Sequence, residues 1–348
     1  MTLMPGGSGS LSMEIGLESH LPEEYTVGWI CALSTELKAA QVMLDKRHPP
    51  LESVNRSDGN NYVLGRIGKH NVVMACLPEY GTVAAAKAAT MMDFAFPSLR
   101  FGLTVGIGGG IPSEDKDIRL GDIVVSDPTG QGGGVIQYDL GRMEYDGFKR
   151  LGSLNKPPML LRTAMKRLEG TYHLGKEISN LVTQAFTPFP EWADEFKYPG
   201  AKSDRLFKAE YKHINNNPNC YGCAKSKANI VGRSKRKYPT HPRVHYGNIA
   251  SGNSVMKDAL VRDHLANRDN VICFEMEAAG LMDNFPCFII RGVSDYADSH
   301  KNWQRQPYAA AIAAAYAKRL LLEIPPQAIE RLGPIRSLLL QVPCHGTR

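Results

Sequence analysis

Residues 271–280 read VICFEMEAAG, and residues 287–298 read CFIIRGVSDYAD. Each opens on an apolar run without polar alternation and stops abruptly at carboxylates. An unalternating apolar run marks a strand buried on both faces, the habit of a parallel sheet covered by helices. Similar runs start at Tyr25 (YTVGWICAL), Leu99 (LRFGLTVGI) and Leu120 (LGDIVVS). Helical patterns fall between them, at Glu36–Leu44 behind the cap candidates Ser34 and Thr35, at Gly81–Phe94, at about 157–169, at Ser254–Ala266 and at Tyr308–Ile324. Segments 61–67 and 70–77, joined through Gly68-Lys69, read as a hairpin. The alternation predicts a single α/β domain, a mixed and mostly parallel sheet flanked by helices on both faces. Ligands of such sheets collect beyond the carboxyl ends of the strands. Here those ends are Leu33/Ser34, Ile107/Gly108, Phe274/Glu275 and Val293/Ser294, and Gly108–Gly110 reads as a glycine-rich turn.

The rest of the chain narrows the class. It has 348 residues, 43% of them hydrophobic and 22% charged, which excludes wholesale disorder and fibrous repeats. No apolar stretch is long enough to span a bilayer, and the first residues (MTLMPGGSGSLSMEIG) have neither the basic nor the apolar region of a secretory signal. Seven scattered cysteines argue against a disulfide framework and for a reducing compartment, taken as cytoplasmic. A formal charge of +6 tolerates an anionic ligand without requiring one. Residues 1–24 are expected to be a flexible leader, 25–324 the catalytic domain with an irregular insertion at about 128–245, and 325–348 a peripheral tail.

Four phrases recur in a fixed order: Ala32-Leu33-Ser34-Thr35-Glu36, Val105–Gly110, Phe274-Glu275-Met276-Glu277 and Arg291–Asp298. Together with GSLNKPP (152–158), HYGNIASGN (245–253) and SDYADSHKNW (294–303), they resemble the nucleoside phosphorylase superfamily over about residues 25–322. The likeness is closer to the branch of the methylthioadenosine/S-adenosylhomocysteine nucleosidases, in the subgroup often fused to NACHT and ankyrin modules. No such module follows, so a stand-alone or excised domain is expected. The resemblance implies cleavage of the N-glycosidic bond of a purine ribonucleoside through an oxocarbenium-like sugar. Asp295 matches the aspartate that protonates the leaving purine. Glu277 matches the glutamate that accepts from the ribose hydroxyls, with Met276 against the sugar face and Glu275 assisting water or sugar. Val255 and Met256 align with the segment bracketing the purine, although Val255 departs from the family's usual aromatic ring. Ile107, Gly108 and Ser294 complete the expected lining, and Asn253 is secondary. The bland alternatives are an N-cap for Asp295, core packing for Met276, and first-turn carboxylates facing a helix dipole for Glu275 and Glu36.

The nucleophile separates hydrolysis from phosphorolysis. Phosphorylases of the superfamily carry arginines where this chain has Glu36 and Thr104. A carboxylate at 36 repels phosphate and suits a water, so hydrolysis is the favoured reading. Phosphate would be the co-substrate in the phosphorolytic alternative, and a non-catalytic nucleoside or nucleotide sensor is the second alternative. No metal or organic cofactor is expected; a homo-oligomer is. Gln137-Tyr138-Asp139 could approach the sugar 5′ side or be a structural loop. Cys220 and Cys223, with His213 and His241, space poorly for zinc and read as surface thiols or a local turn. The basic run Arg233–Lys237 reads as a solvated mobile segment rather than a nucleic-acid contact. His300 and Trp303 fall in a lid or partner edge.

Overall fold

The structure, a computed structural model, describes residues 19–51, 58–214, 220, 222–301 and 303–339. Most of the leader expected at 1–24 and the last part of the tail lie outside the described residues. Twelve strands are present among those described: β1 Val27–Cys31, β2 Lys46–Arg47, β3 Tyr62–Ile67, β4 His70–Cys76, β5 Phe101–Gly110, β6 Ile123–Ser126, β7 Val135–Gln137, β8 Gly141–Glu144, β9 Gly147–Arg150, β10 Val244–Ser251, β11 Val271–Glu275 and β12 Cys287–Asp295. The main helices are α1 Ser34–Gln41, α2 Thr82–Ala95, α3 Met159–Glu169, α4 Leu174–Phe186, α5 Pro190–Glu195, α6 Ala259–Asp269 and α7 Gln306–Leu322, followed by the short α8 Pro326–Glu330 and α9 Ile335–Leu339.

One mixed sheet runs β11-β10-β6-β12-β5-β1-β4-β3-β2, with β7 on β10. The central pairs β12–β5, β5–β1 and β1–β4 are parallel, as are β10 with β6 and β11. Alternate strand residues feed two cores. Val27, Trp29, Val72, Leu103 and Ile290 pack with α1, α3, α4 and α7; Ile30, Val73, Ala75 and Ile289 pack with α2 and the turn at Leu281–Phe285. Burial on both faces is why these strands are continuously apolar.

The far end of β5 departs from the expected turn. Gly108–Gly110 are its last strand residues, and Gly109 and Gly110 pair antiparallel with Phe274 and Cys273 of β11. Strands β5, β12, β6, β10 and β11 therefore close into a ring. A side chain at Gly109 would run into Ala297 and the Asp295 carboxylate, so only glycine lets β5 lie against the loop that follows β12.

Three further expectations need correction. Residues 128–198 are largely regular, and α3 and α4 bury Leu161, Met165, Leu168 and Ile178 in the main core; the irregular part of the insertion is 199–243. The tail is not peripheral as far as it is described: Ile329 and Ile335 are buried, and the Ile335 amide donates to the Leu99 carbonyl at 2.8 Å. Helix α6 starts at Ala259, not Ser254, because Asp258 caps it by accepting from the Leu260 and Val261 amides. Residues 254–257 are thereby left as a loop over the strand ends.

Candidate active site

The carboxyl ends of β1, β5, β11 and β12 open on one cavity of about 270 Å³. Every site residue proposed from the sequence lines it: Glu36, Ile107, Gly108, Val255, Met256, Glu275, Met276, Glu277, Ser294 and Asp295. Residues separated by some 260 positions meet because β1, β5 and β12 run parallel and end on one side, while β11 folds antiparallel onto the end of β5 and brings Glu275 and Glu277 there.

Glu36 enters from the first turn of α1 and is almost fully buried. Its Oε2 accepts from the Ala32 amide at 2.7 Å and the Leu33 amide at 3.0 Å, and its Oε1 from the Ile107 amide at 2.8 Å. Burial raises its proton affinity against the opposing pull of Arg291 and these three amides. Gly106 is required beside it: a Cβ there would lie 2.5 Å from the Glu36 carboxyl carbon and 2.7 Å from Arg291 Nη1.

Glu275 and Glu277 flank Met276 at the end of β11. No α-helix follows, only a short 3₁₀ turn at Ala278–Gly280, so Glu275 takes over as its cap. Glu275 Oε2 accepts from the Glu277 amide at 3.0 Å and the Ala278 amide at 3.1 Å. The Arg291 guanidinium, 1% exposed, pairs with Glu275 and lies 3.0 Å from Glu277 Oε2. Burial pushes the Glu277 carboxyl up to about 7, with Glu275 and Glu36 adding to the rise and Arg291 opposing it. Glu275 is thus occupied by the protein's own donors, whereas Glu277, held by Arg291 and the Gly81 amide, also faces the cavity.

Asp295 ends β12 and is 9% exposed. Its Oδ1 accepts from the Ala297 amide at 2.8 Å, Ser294 Oγ lies 3.1 Å from its Oδ2, and Lys301 Nζ lies 3.4 Å away. Met256 and Phe274 add apolar lining, and the half-exposed Val255 stands with Tyr80 and Trp303 at the mouth.

Sequence reasoning left Arg291 and Lys301 unassigned, although both stood in quoted phrases. The signal for Arg291 was an arginine inside an apolar strand, which requires buried carboxylate partners. Tyr138 and Asp139 serve the loop structurally: Tyr138 Oη donates to the Ser254 carbonyl at 3.0 Å, and Asp139 accepts from the Asn253 amide at 2.8 Å. Asn253 in turn accepts from the Thr82 amide at the start of α2. Cys220 and Cys223 are buried with Phe207, not surface thiols. His300 stacks on Phe207 with ring centroids 4.0 Å apart and lies outside the cavity lining, whereas Trp303 is 60% exposed at its rim. The basic run is anchored rather than solvated. Arg236 pairs with buried Asp122 at 2.7 Å, and Arg233 with Asp204 at 3.0 Å.

Known proteins share this chain's sequence pattern and its fold. The family model described as the phosphorylase superfamily matches residues 26–324. A nucleotide-binding leucine-rich repeat (NLR)-like protein of Hyaloscypha variabilis is 54% identical over 93% of this chain, which spans 32% of that protein's length. The 5′-methylthioadenosine/S-adenosylhomocysteine nucleosidase of Mycobacterium bovis is 22% identical over 86% of this chain and 97% of its own. The solved structure of a nucleosidase of that name from S. pneumoniae, with a transition-state inhibitor, superimposes at a TM-score of 0.55 with 17% identity, covering 86% of this chain and all of that one. Among the described residues, no helix is long and apolar enough to cross a membrane.

Proposed function

The chain belongs to the phosphorylase superfamily, and on that premise we propose that it hydrolyses the N-glycosidic bond of purine ribonucleosides. The observation that carries the choice of water over phosphate is the seat of Glu36. The amides that would cradle an incoming anion at the β1 and β5 ends, those of Ala32, Leu33 and Ile107, already hold the protein's own carboxylate. Arg291, the buried cation nearby, is committed to Glu275 and Glu277. A phosphate dianion would meet the Glu36 carboxylate there, with those three amides already taken.

A carboxylate offers about four acceptor sites, and Glu36 uses three on amides. The remaining one, on Oε1, orients a water and takes its proton as the C–O bond forms. The burial-raised proton affinity of Glu36 suits that task near neutral pH. Glu277 accepts from the ribose hydroxyls, and its charge favours the cationic sugar of the transition state. Asp295 delivers a proton to the departing purine, so the base leaves neutral while the bonding electrons move onto it. Val255, Met256 and Phe274 enclose the flat base. Residues 25–324 form the catalytic unit in this reading, a purine nucleoside is its small-molecule partner, and no cofactor takes part.

The test is incubation with adenosine, inosine and guanosine, with and without inorganic phosphate. Free base and free ribose in phosphate-free buffer are expected. Strict phosphate dependence with ribose 1-phosphate as product means phosphorolysis. Tight nucleoside binding without turnover, retained in Asp295→Asn, means a sensor.

A further inference from the structure

The irregular insertion converges on one short loop, the one that carries the proton donor. Tyr296, the residue after Asp295, is buried, and its hydroxyl donates to Asp204 and accepts from Arg233 Nη2 at 2.8 Å. Arg233 closes the triangle on Asp204 at 3.0 Å and ties to the Ile118 carbonyl at 3.2 Å. The Tyr296 carbonyl accepts from buried Arg262 at 2.8 Å. Farther along the loop, Ser299 Oγ accepts from the His213 amide at 3.0 Å, the His300 ring lies on Phe207, and Cys220 Sγ lies 3.6 Å from the His300 carbonyl.

Between these anchors the chain is strained. Ala297 holds φ at +51°, a left-handed conformation that a non-glycine residue keeps only when its surroundings impose it. That conformation aims the Ala297 amide at Asp295 Oδ1, 2.8 Å away, and so fixes the carboxylate's orientation. We propose that Asp204, Arg233 and Tyr296 form a clamp through which the insertion positions Asp295 for proton transfer to the leaving base. They are positioning residues, since none of the three lines the substrate cavity. Apolar packing alone would anchor the insertion without a partly buried ion pair on the tyrosine next to the donor. Here the pair closes on that hydroxyl, which also accepts from the Leu120 amide at 3.3 Å.

The role in catalysis rests on the hydrolase reading, so the experiment separates the two. Wild-type protein is assayed first on inosine and adenosine. Asp204→Asn, Tyr296→Phe, the double variant, and the surface control Lys235→Ala are then compared for kcat, KM and amide hydrogen exchange. Misplacing the donor by about 1 Å costs on the order of 100-fold in kcat. That loss is expected in both single variants with KM within about threefold, since the base and ribose contacts are intact. The double variant is expected to be no slower than the worse single, because the pair acts as a unit. Exchange is expected to accelerate at residues 296–300 while the central strands stay protected, and Lys235→Ala is expected to match wild type. Arg233→Gln removes the other arm of the clamp and lies outside the cavity lining, so a fall in its kcat with KM held supports the clamp even if Asp204→Asn fails to fold. Wild-type kcat in Tyr296→Phe and Arg233→Gln, or protection lost evenly through the domain, overturns it. If wild type cleaves neither nucleoside, the hydrolase reading fails by itself. The clamp then stands or falls on whether exchange at 296–300 alone accelerates in Tyr296→Phe.

Discussion

Replacing Gly106 by alanine displaces the Glu36 carboxylate, the group proposed to hold water, without touching it chemically. Gly106 does not have a positive φ, so the backbone accepts alanine. The new methyl would fall 2.5 Å from the Glu36 carboxyl carbon, short of an ordinary 3.4 Å contact by about 0.9 Å. Arg291 Nη1, 2.7 Å away on the same side, is buried and doubly paired, so it cannot give way easily. The Glu36 carboxylate must therefore move by nearly that amount. Its bond to the Ile107 amide is the first to break, and an orphaned buried amide costs about 1–3 kcal/mol of stability. A shift of about 1 Å in a group that must align a nucleophile costs roughly 100-fold in rate. The assay is base release from inosine in phosphate-free buffer, paired with a urea unfolding midpoint. Gly106→Ala is expected to fold, to lose a small part of its stability and about two decades of kcat. Combined with Glu36→Gln it should lose little more than either alone. Turnover within twofold of wild type would show that Glu36 does not hold the nucleophile.

Three other perturbations have signs set by the same pocket. Glu277 holds its proton up to about 7 because it is buried, against about 4.3 for a free carboxyl. A raised carboxyl contributes stability below the free value and loses it as pH climbs toward 7, so the Tm of Glu277→Gln minus that of wild type should grow more positive from pH 4.5 to 8; calorimetry showing a flat or shrinking gap contradicts this. Arg291→Met leaves Glu275 and Glu277 buried without their cation, and urea titration should register a loss of about 3–5 kcal/mol. A loss under about 1 kcal/mol would mean that the pair is not buried as described. Val255→Phe adds a ring to the mouth of the proposed base site, and about 0.5–1.5 kcal/mol of stacking should lower KM for inosine roughly 2- to 10-fold. An unchanged KM would place the base elsewhere.

The strands were legible because burial on both faces leaves short apolar runs, rich in β-branched and aromatic residues and bounded by turn or polar residues. The positions of Glu36 and Asp295 were legible because the parallel strands β1 and β12 deliver their carboxyl ends to one side, whereas Glu275 and Glu277 were legible from their phrase and reach that side by the antiparallel closure of β11 on β5. Arg291 was not, since its meaning depends on two glutamates 14 and 16 residues earlier that reach it only through the folded sheet. The closure of β5 on β11 was hidden for a related reason. Gly108–Gly110 look like a turn in one dimension and are strand residues thinned to admit the Asp295 loop in three. The insertion was misread where its order rests on ion pairs rather than an apolar face. Arg233 and Arg236 find Asp204 and Asp122, and no periodicity records such remote partners. The start of α6 was misplaced because both Ser254 and Asp258 are competent caps, and only Asp258 makes the bonds.

The most direct measurement is the fate of solvent oxygen. Inosine is turned over in ¹⁸O-labelled water without phosphate, and the sugar product is weighed by mass spectrometry. One ¹⁸O per ribose, at the anomeric carbon, is expected if Glu36 delivers water while Asp295 releases the base. Sugar without the label, or no sugar until phosphate is added, would contradict a pocket built around a bound water.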